Sequence, residues 1–293
     1  MSKAPAGKIA YQGEAGANSH IACLQAMPDL EPLACRTFED AFHAVKEGTA
    51  TLAMIPIDNS VAGRVADIHH LLPQSNLFII GEYFLPVHHQ LLAVKGADPK
   101  AITEVHSHVH ALGQCRKVIR ARSMLPVVAV DTAGAARELA QSKNLKQAAI
   151  ASKLAAEIYG LEILQSDIED ETHNTTRFLI LSLDRHDAEQ GPKDVVTSFV
   201  FRVRNVPAAL YKAMGGFATN GVNMTKLESY QLEGQFSATQ FYADIDGHPD
   251  DAHVRLALEE LAFFTSYTRI LGVYPASPYR AEVAAERLAR NPG

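Results

Sequence analysis

The sequence predicts an α/β protein in two parts: two α/β lobes over the first 185 residues or so, then a small βαββαβ domain. Three observations predict it. Short buried apolar runs alternate with segments of helical apolar spacing up to about residue 185, the pattern of βα units and largely parallel sheets. A polar stretch containing Gly-Pro, HDAEQGPKD from His186 to Asp194, then separates two apolar strand patterns and reads as a linker. Beyond it the signals run strand, helix, strand, strand, helix, strand, which is a ferredoxin-like order.

Taken in order, KIAYQ, LAMIPI, PVVAV and QAAIAS are the apolar runs expected as strands, and Phe38–Lys46, Ala111–Arg122 and Ala133–Gln141 carry helical spacing. A faint repeat lies among them. TFEDAFHAVKEGTATLAMIPIDNS and DTAGAARELAQSKNLKQAAIASKLAAEIYG both run from a helix through a short turn to a strand. Two such units suggest two similar lobes with a cleft, where ligands usually bind. After the linker, VVTSFVFRVR is a strand and VPAALYKAMGGFATNG a helix with Pro207 near its start. NMTKLESYQLEGQFSATQFYADIDG reads as two strands about a turn at Gly234. PDDAHVRLALEELAFF is a second amphipathic helix, SYTRILGVYP the last strand, and residues 278–290 a solvent-facing helical tail with no assigned chemistry.

Composition narrows the functions. Of 293 residues, 47% are hydrophobic and 20% charged, an ordinary globular balance. A net charge of −6 without any Lys/Arg run argues against a nucleic-acid or anionic-membrane surface, and no apolar stretch approaches the length of a membrane span. The leading MSKAPAGKIAYQG has no apolar core of signal-peptide length, and Cys23, Cys35 and Cys115 are scattered, so a reducing, cytoplasmic setting is expected. Thirteen histidines include His69–His70, His88–His89 and the alternating His106, His108 and His110, which in a strand could share a face. No metal-binding spacing accompanies them, so no metal is expected.

Four polar groups adjoin apolar runs. GEAGANSH, Gly13 to His20, is a glycine turn into a helix, able either to cap that helix or to offer backbone N–H groups and Ser19 to an anion. It lacks the G-K-[ST] of a P-loop and the G-x-G-x-x-G of a dinucleotide site. PIDNSVAG supplies Asp58, Asn59 and Ser60, good cap residues at a strand end where α/β sheets also place ligand contacts. In HSHVHALGQC, Ser107 can cap a helix that carries Gln114, whose amide needs a polar partner. HNTTRFLIL sets His173, Asn174, Thr175, Thr176 and Arg177 before an apolar strand. Hydroxyls, amides and one Arg dominate, and neither a carboxylate pair nor a nucleophile elbow is present. Such a set can bind carboxylates and assist departure of a hydroxyl by hydrogen bonding.

In this order the groups resemble the bacterial prephenate dehydratases from Lys8 to about Pro275. The matching pieces are Gly13, Gly16 and Ser19; Asn59, Ser60 and Gly63; Ser107-His108 with Ala111 to Cys115; and Thr176-Arg177-Phe178. Asn220 to Ser229, NGVNMTKLES, is similar to part of the ACT domain that follows in this family. The chain departs from the family pattern at Ala17-Asn18, Asp58, Val109-His110, Ala208 and Tyr230-Gln231.

The resemblance implies a two-lobed, periplasmic-binding-protein-like catalytic domain over residues 8–185. A ferredoxin-like ACT regulatory domain over 195–275 and a tail over 276–293 follow. It implies decarboxylative dehydration of prephenate to phenylpyruvate without a cofactor, with feedback inhibition by L-phenylalanine in a homodimer or homotetramer. Thr176, Asn59, Ser107 and Gln114 are then the catalytic residues. Ser19, Ser60, Gly63, Thr175, Arg177 and Phe178 bind substrate, with Arg177 open to an ion pair with Glu169, Asp170 or Glu171 and Phe178 open to a core position. Asn205, Ala209, Leu210, Asn223, Leu227 and Glu228 match the effector site. Arogenate dehydratase is the alternative of the same chemistry, and a non-catalytic amino-acid-sensing protein the alternative of another class.

Overall fold

The computed structural model describes residues 7–191, 194–204, 206–231 and 238–290. Two compact units are present. Residues up to Val65 with Phe84–Phe178 form one, and Ala66–Tyr83 with the residues from Leu179 onward form the other. This division by packing is a different cut from the one drawn at the 186–194 linker.

The first unit opens with β1 (Lys8–Gln12), α1 (Asn18–Ala26), β2 (Glu31–Cys35), α2 (Phe38–Lys46), β3 (Leu52–Asn59) and β4 (Gly63–Arg64). The helix α3 (Ala66–Gln74) belongs to the other unit, and β5 (Phe78–Pro86) leads back. Next come β6 (Gln90–Ala93), β7 (Glu104–Ser107), α4 (Val109–Gln114), α5 (Arg116–Ala121) and β8 (Leu125–Val128). The remaining elements are α6 (Thr132–Ser142), β9 (Gln147–Ala151), α7 (Lys153–Tyr159), β10 (Glu162–Gln165) and β11 (Thr175–Ser182). One sheet has the order β2-β1-β3-β11-β5, with β4 on β3; a second has the order β10-β6-β9-β7-β8. Pairing is parallel at β1–β2, β1–β3, β7–β8 and β7–β9, but antiparallel at β6–β9, β10–β6 and β3–β4. The sheets are thus mixed rather than largely parallel.

Local chemistry explains the helices that match expectation. Thr37 caps α2 by accepting from Asp40 N, and α2 buries Ala41, Phe42, Ala44 and Val45 on one face. Asp131 caps α6 through Gly134 N, and Ser152 caps α7 through Ala155 N. The helix expected over Ala111–Arg122 is broken at Cys115 into α4 and α5. Asp170 holds the break from far along the chain. Its N–H donates to Gln114 O at 2.6 Å, while its carboxylate accepts from Arg116 N and Lys117 N, both at 3.1 Å. That leaves Gln114 at the end of α4.

The second unit carries β12 (Val195–Val203), α8 (Ala209–Thr219), β13 (Met224–Gln231), β14 (Ala238–Asp246), α9 (Ala252–Phe264), β15 (Thr265–Pro275) and α10 (Pro278–Arg290). The sheet order β13-β14-β12-β15, antiparallel throughout, is ferredoxin-like as expected. The turn expected at Gly234 lies outside the described residues. Phe199, Phe201, Phe241 and Ile245 of the sheet pack with Phe217 of α8 and Leu261 of α9. The helix α3 adds His69, whose ring meets Tyr242 edge-on at 5.4 Å and Tyr230 at 6.1 Å.

The tail is not merely solvent-facing. Arg280 of α10 pairs with Glu82, whose side chain is fully buried, through Nε–Oε1 at 2.6 Å and Nη2–Oε2 at 3.0 Å. Ser277 N adds a third bond to Oε1 at 3.0 Å. A buried carboxylate needs such a partner, so the Arg in the tail has a structural task.

Candidate active site

Three chain segments converge at the ends of β3, α4 and β11. Asn59 ends β3, and its Oδ1 accepts from Val61 N at 3.0 Å and Ala62 N at 2.7 Å. This is a turn at a strand end, not the helix cap that the residue types allowed. Backbone N–H groups only donate, so these two bonds decide which side of the amide is oxygen. The Nδ2 group then donates to Thr176 Oγ1 at 2.9 Å and Asn174 Oδ1 at 2.8 Å. Asn174 Nδ2 donates in turn to Gln114 Oε1 at 2.9 Å, and His89 Nε2 lies 2.8 Å from that same oxygen.

The structure therefore joins Thr176, Asn59 and Gln114 into one chain of neutral groups and adds two residues to which the resemblance gave no role. Asn174 is buried, and so is His89, just before β6. A signal for His89 existed: a polar ring between LPV and LLAV in an apolar run needs a partner.

Other expectations change. Ser107 is fully buried and donates to Ile150 O at 2.6 Å; His108, not Ser107, caps α4. Ser60 is a backbone brace, with Oγ donating to His173 O at 2.5 Å and accepting from Thr175 N at 2.9 Å, while its N–H donates to Thr175 O at 2.9 Å. The brace sets Thr175 and the residue after it beside the β3 turn. Gly63 is exposed on β4 at φ 83°, a left-handed conformation that suits glycine. Phe178 is 1% exposed and belongs to the core. Arg177 is buried with its guanidinium 5.9 Å from the Phe84 ring centroid. Glu169 and Asp170 are engaged by His88 and by the start of α5, and Glu171 lies 3.9 Å from His173.

The Gly13–His20 loop is occupied by its own structure. Gly13 N donates to Cys35 O, Ala17 N to Glu14 O and Gly16 N to His20 Nδ1, so three N–H groups that could have served an anion are spent. Ser19 is buried on α1, whose N-cap residue, Ala17, makes no side-chain capping bond. The loop docks on α7 through Ser152 Oγ to Gly16 O at 2.6 Å and Tyr159 OH to Ala15 O at 2.9 Å. Gly16 sits at φ +89°, and a Cβ there would lie 2.7 Å from Ala155 Cα. Gly16→Ala is expected to cost about 2 kcal/mol or more of stability, from overpacking plus backbone strain. Urea unfolding checks it, and an unchanged midpoint would contradict the close approach.

The alternating histidines do not share a strand face. The strand β7 ends at Ser107, His106 meets Glu104 at 3.3 Å, and the His108 and His110 rings lie tilted to one another with centroids 5.1 Å apart. Among the described residues, His88, Asp167 and Glu169 form a group whose potential ligand atoms lie within 4.8 Å of one another. Glu169 already bonds His88 Nδ1 and His89 N, both at 2.9 Å.

Burial holds His20, His89 and His108 below the ordinary histidine value of 6.5. Below that value the unfolded chain binds more protons at these sites than the folded one. Their contribution to stability is therefore complete above about pH 6.5 and declines as pH falls through it. Urea midpoints measured from about pH 8 down to about pH 5 should drop; a rise on acidification would reverse the sign.

The prephenate dehydratase family model matches residues 9–186, more than half of the chain. The chain belongs to the prephenate dehydratase family. The "Bifunctional N-acyl-homoserine lactone acylase/prephenate dehydratase" of Komagataeibacter europaeus is 51% identical over 93% of this chain and 97% of its own length. The "Arogenate dehydratase/prephenate dehydratase 2, chloroplastic" of Arabidopsis thaliana is 37% identical over 92% of this chain and 72% of its own. A solved prephenate dehydratase from Arthrobacter aurescens, in complex with L-Phe, is similar with a TM-score of 0.83 and 30% identity, covering 97% of this chain and 98% of that one. Among the described residues no helix is long and apolar enough to cross a membrane.

The βαββαβ unit lies beyond the matched family residues. There Ala209 and Leu210 start α8, partly buried against the core. Asn223 Nδ2 donates to Asp246 Oδ2 at 2.6 Å, Leu227 is exposed, and Glu228 accepts from Lys226 Nζ at 3.3 Å. Asn205 lies outside the described residues.

Proposed function

We propose that this member of the prephenate dehydratase family converts prephenate to phenylpyruvate, water and carbon dioxide. The carrying observation is the 2.9 Å bond from Asn59 Nδ2 to Thr176 Oγ1. Because Thr176 accepts there, its own hydrogen is the one that points to another acceptor, and the ring hydroxyl of prephenate is the acceptor we assign. As the C–CO2 bond breaks, its electron pair enters the ring, the C–O bond breaks, and the departing hydroxide takes one proton from solvent to leave as water. Aromatisation drives the step, so no electron sink is required. A Thr hydroxyl is a weak acid, and its contribution is donation to oxygen as negative charge grows there, from a preorganised neutral site. Gln114 and Asn59 orient it, and Ser60 braces the turn that carries Asn59.

On this reading residues 8–185 are the catalytic domain, two-lobed about the two sheets, and residues 195–275 an ACT domain binding L-phenylalanine. Ala209, Leu210, Asn223, Leu227 and Glu228 line that effector site in a homodimer or homotetramer in the cytoplasm. The L-Phe complex of the Arthrobacter aurescens relative supports the effector. The Arabidopsis relative's name supports arogenate as a second substrate, and the Komagataeibacter relative's name supports a separate acylase reading.

One assay series tests all three: purified protein with prephenate, with arogenate and with an N-acyl-homoserine lactone, each with and without L-phenylalanine. Prephenate turnover suppressed by phenylalanine is the expected result. Preference for arogenate would change the substrate and keep the chemistry. Turnover of the lactone alone would overturn the dehydratase assignment.

A further inference from the structure

The bond directions at the site extend further than Asn59. With Asn59 Nδ2 donating, Asn174 Oδ1 accepts, and Asn174 Nδ2 must be the donor to Gln114. Gln114 Oε1 is therefore the oxygen, and the ring nitrogen 2.8 Å away on His89 must also donate to it. Two backbone N–H groups at Val61 and Ala62 thus dictate, through three amides, that His89 carries its proton on Nε2. Burial of the ring opposes a charge on it, although Gln114 and Glu169 pull the other way. Glu169 Oε2 accepts the His89 backbone N–H at 2.9 Å, tying down the residue that bears the ring.

Resting on the dehydratase reading, we propose that His89 is a positioning residue for the dehydration. Its Nε2–H holds Gln114 with the carbonyl turned inward and the amino group, with its two donors, turned to the substrate. An inverted Gln114 would present oxygen to an anionic or hydroxyl oxygen. It would also set its amino group against the Asn174 donor, which cannot invert while Asn59 is anchored.

The test combines kinetics with ring 15N NMR on the full chain. Wild-type His89 should show the neutral Nε2–H tautomer at neutral pH. His89→Leu should lower kcat roughly tenfold to a hundredfold, with a smaller change in KM, the scale of a misplaced contact group. His89→Gln, whose amide can donate in place of Nε2–H, should recover most of the loss. If His89→Leu fails to fold, Gln114→Glu serves instead. Its carboxylate still accepts from His89 and Asn174 but puts oxygen where the amino group stood, so activity should be lost with the unfolding midpoint retained.

An Nδ1–H tautomer would overturn the proposal, as would unchanged kcat in His89→Leu or equal loss in His89→Leu and His89→Gln. Failure of the parent reading is distinct: wild-type protein would turn over neither prephenate nor arogenate. The positioning role would then fall, whatever the tautomer.

Discussion

Thr176→Val is expected to fold normally and to lower kcat for prephenate by roughly 10²-fold or more, the scale of one well-placed donor to developing negative charge. The substitution keeps the branched shape and strand preference at the start of β11 and removes only the hydroxyl. Asn59 keeps its bonds from Val61 N and Ala62 N and its own donation to Asn174, so the turn and the amide chain survive. What disappears is the one group whose oxygen is already satisfied by Asn59 and whose proton is directed elsewhere. Loss confined to kcat identifies an interaction made in the transition state. A folded Thr176→Val protein with near-wild-type kcat would remove Thr176 from the mechanism.

Arg280→Met should destabilise the protein by about 3 kcal/mol, toward the lower end for a broken buried ion pair. The asymmetry of exposure sets that scale: the Glu82 side chain is fully buried, whereas Arg280 is 22% exposed. Removing the arginine strands the carboxylate with Ser277 N as the partner retained from this group. Replacing both, as Glu82→Leu with Arg280→Met, should recover most of the loss, because packed apolar groups can replace a buried pair at little cost. Urea unfolding of the two variants decides it. A loss under about 1 kcal/mol in Arg280→Met would mean that the pair behaves like a surface contact.

Elements whose cause is local were legible in the chain. The helix α2 follows from Thr37 and an apolar face, α6 from Asp131, and the strands β3 and β9 from their buried apolar runs, whereas PVVAV, expected as a buried strand, gives β8 with Leu125 and Val128 exposed. Elements whose cause is distant were not. Nothing near Cys115 marks a helix break, because the groups that stabilise it belong to Asp170, 54 positions after Arg116. The task of Arg280 was equally hidden, since Glu82 lies 198 positions away. Candidate site residues divided in the same way. Thr176, Asn59 and Gln114 stood out as polar residues beside apolar elements, and Asn174 was in plain view but unassigned. Ser107 and Ser60 have the right chemistry, yet their hydroxyls are taken by carbonyls of Ile150 and His173.

By itself the sequence determined the α/β character, the ferredoxin-like order of the last elements, the neutral polar residue types of the candidate site and the resemblance to the family. These depend on apolar period, caps and residue type, all of which act over a few neighbours. Only the tertiary structure decided how the parallel and antiparallel strands mix, and which polar groups are spent on backbone. It also decided the direction of each hydrogen bond from Asn59 to His89. A side-chain amide presents donors on one side and an acceptor on the other, and sequence does not say which way it turns. Anchors that can only donate settle that question, and here they are two backbone N–H groups in a turn that folding brings to the end of β11.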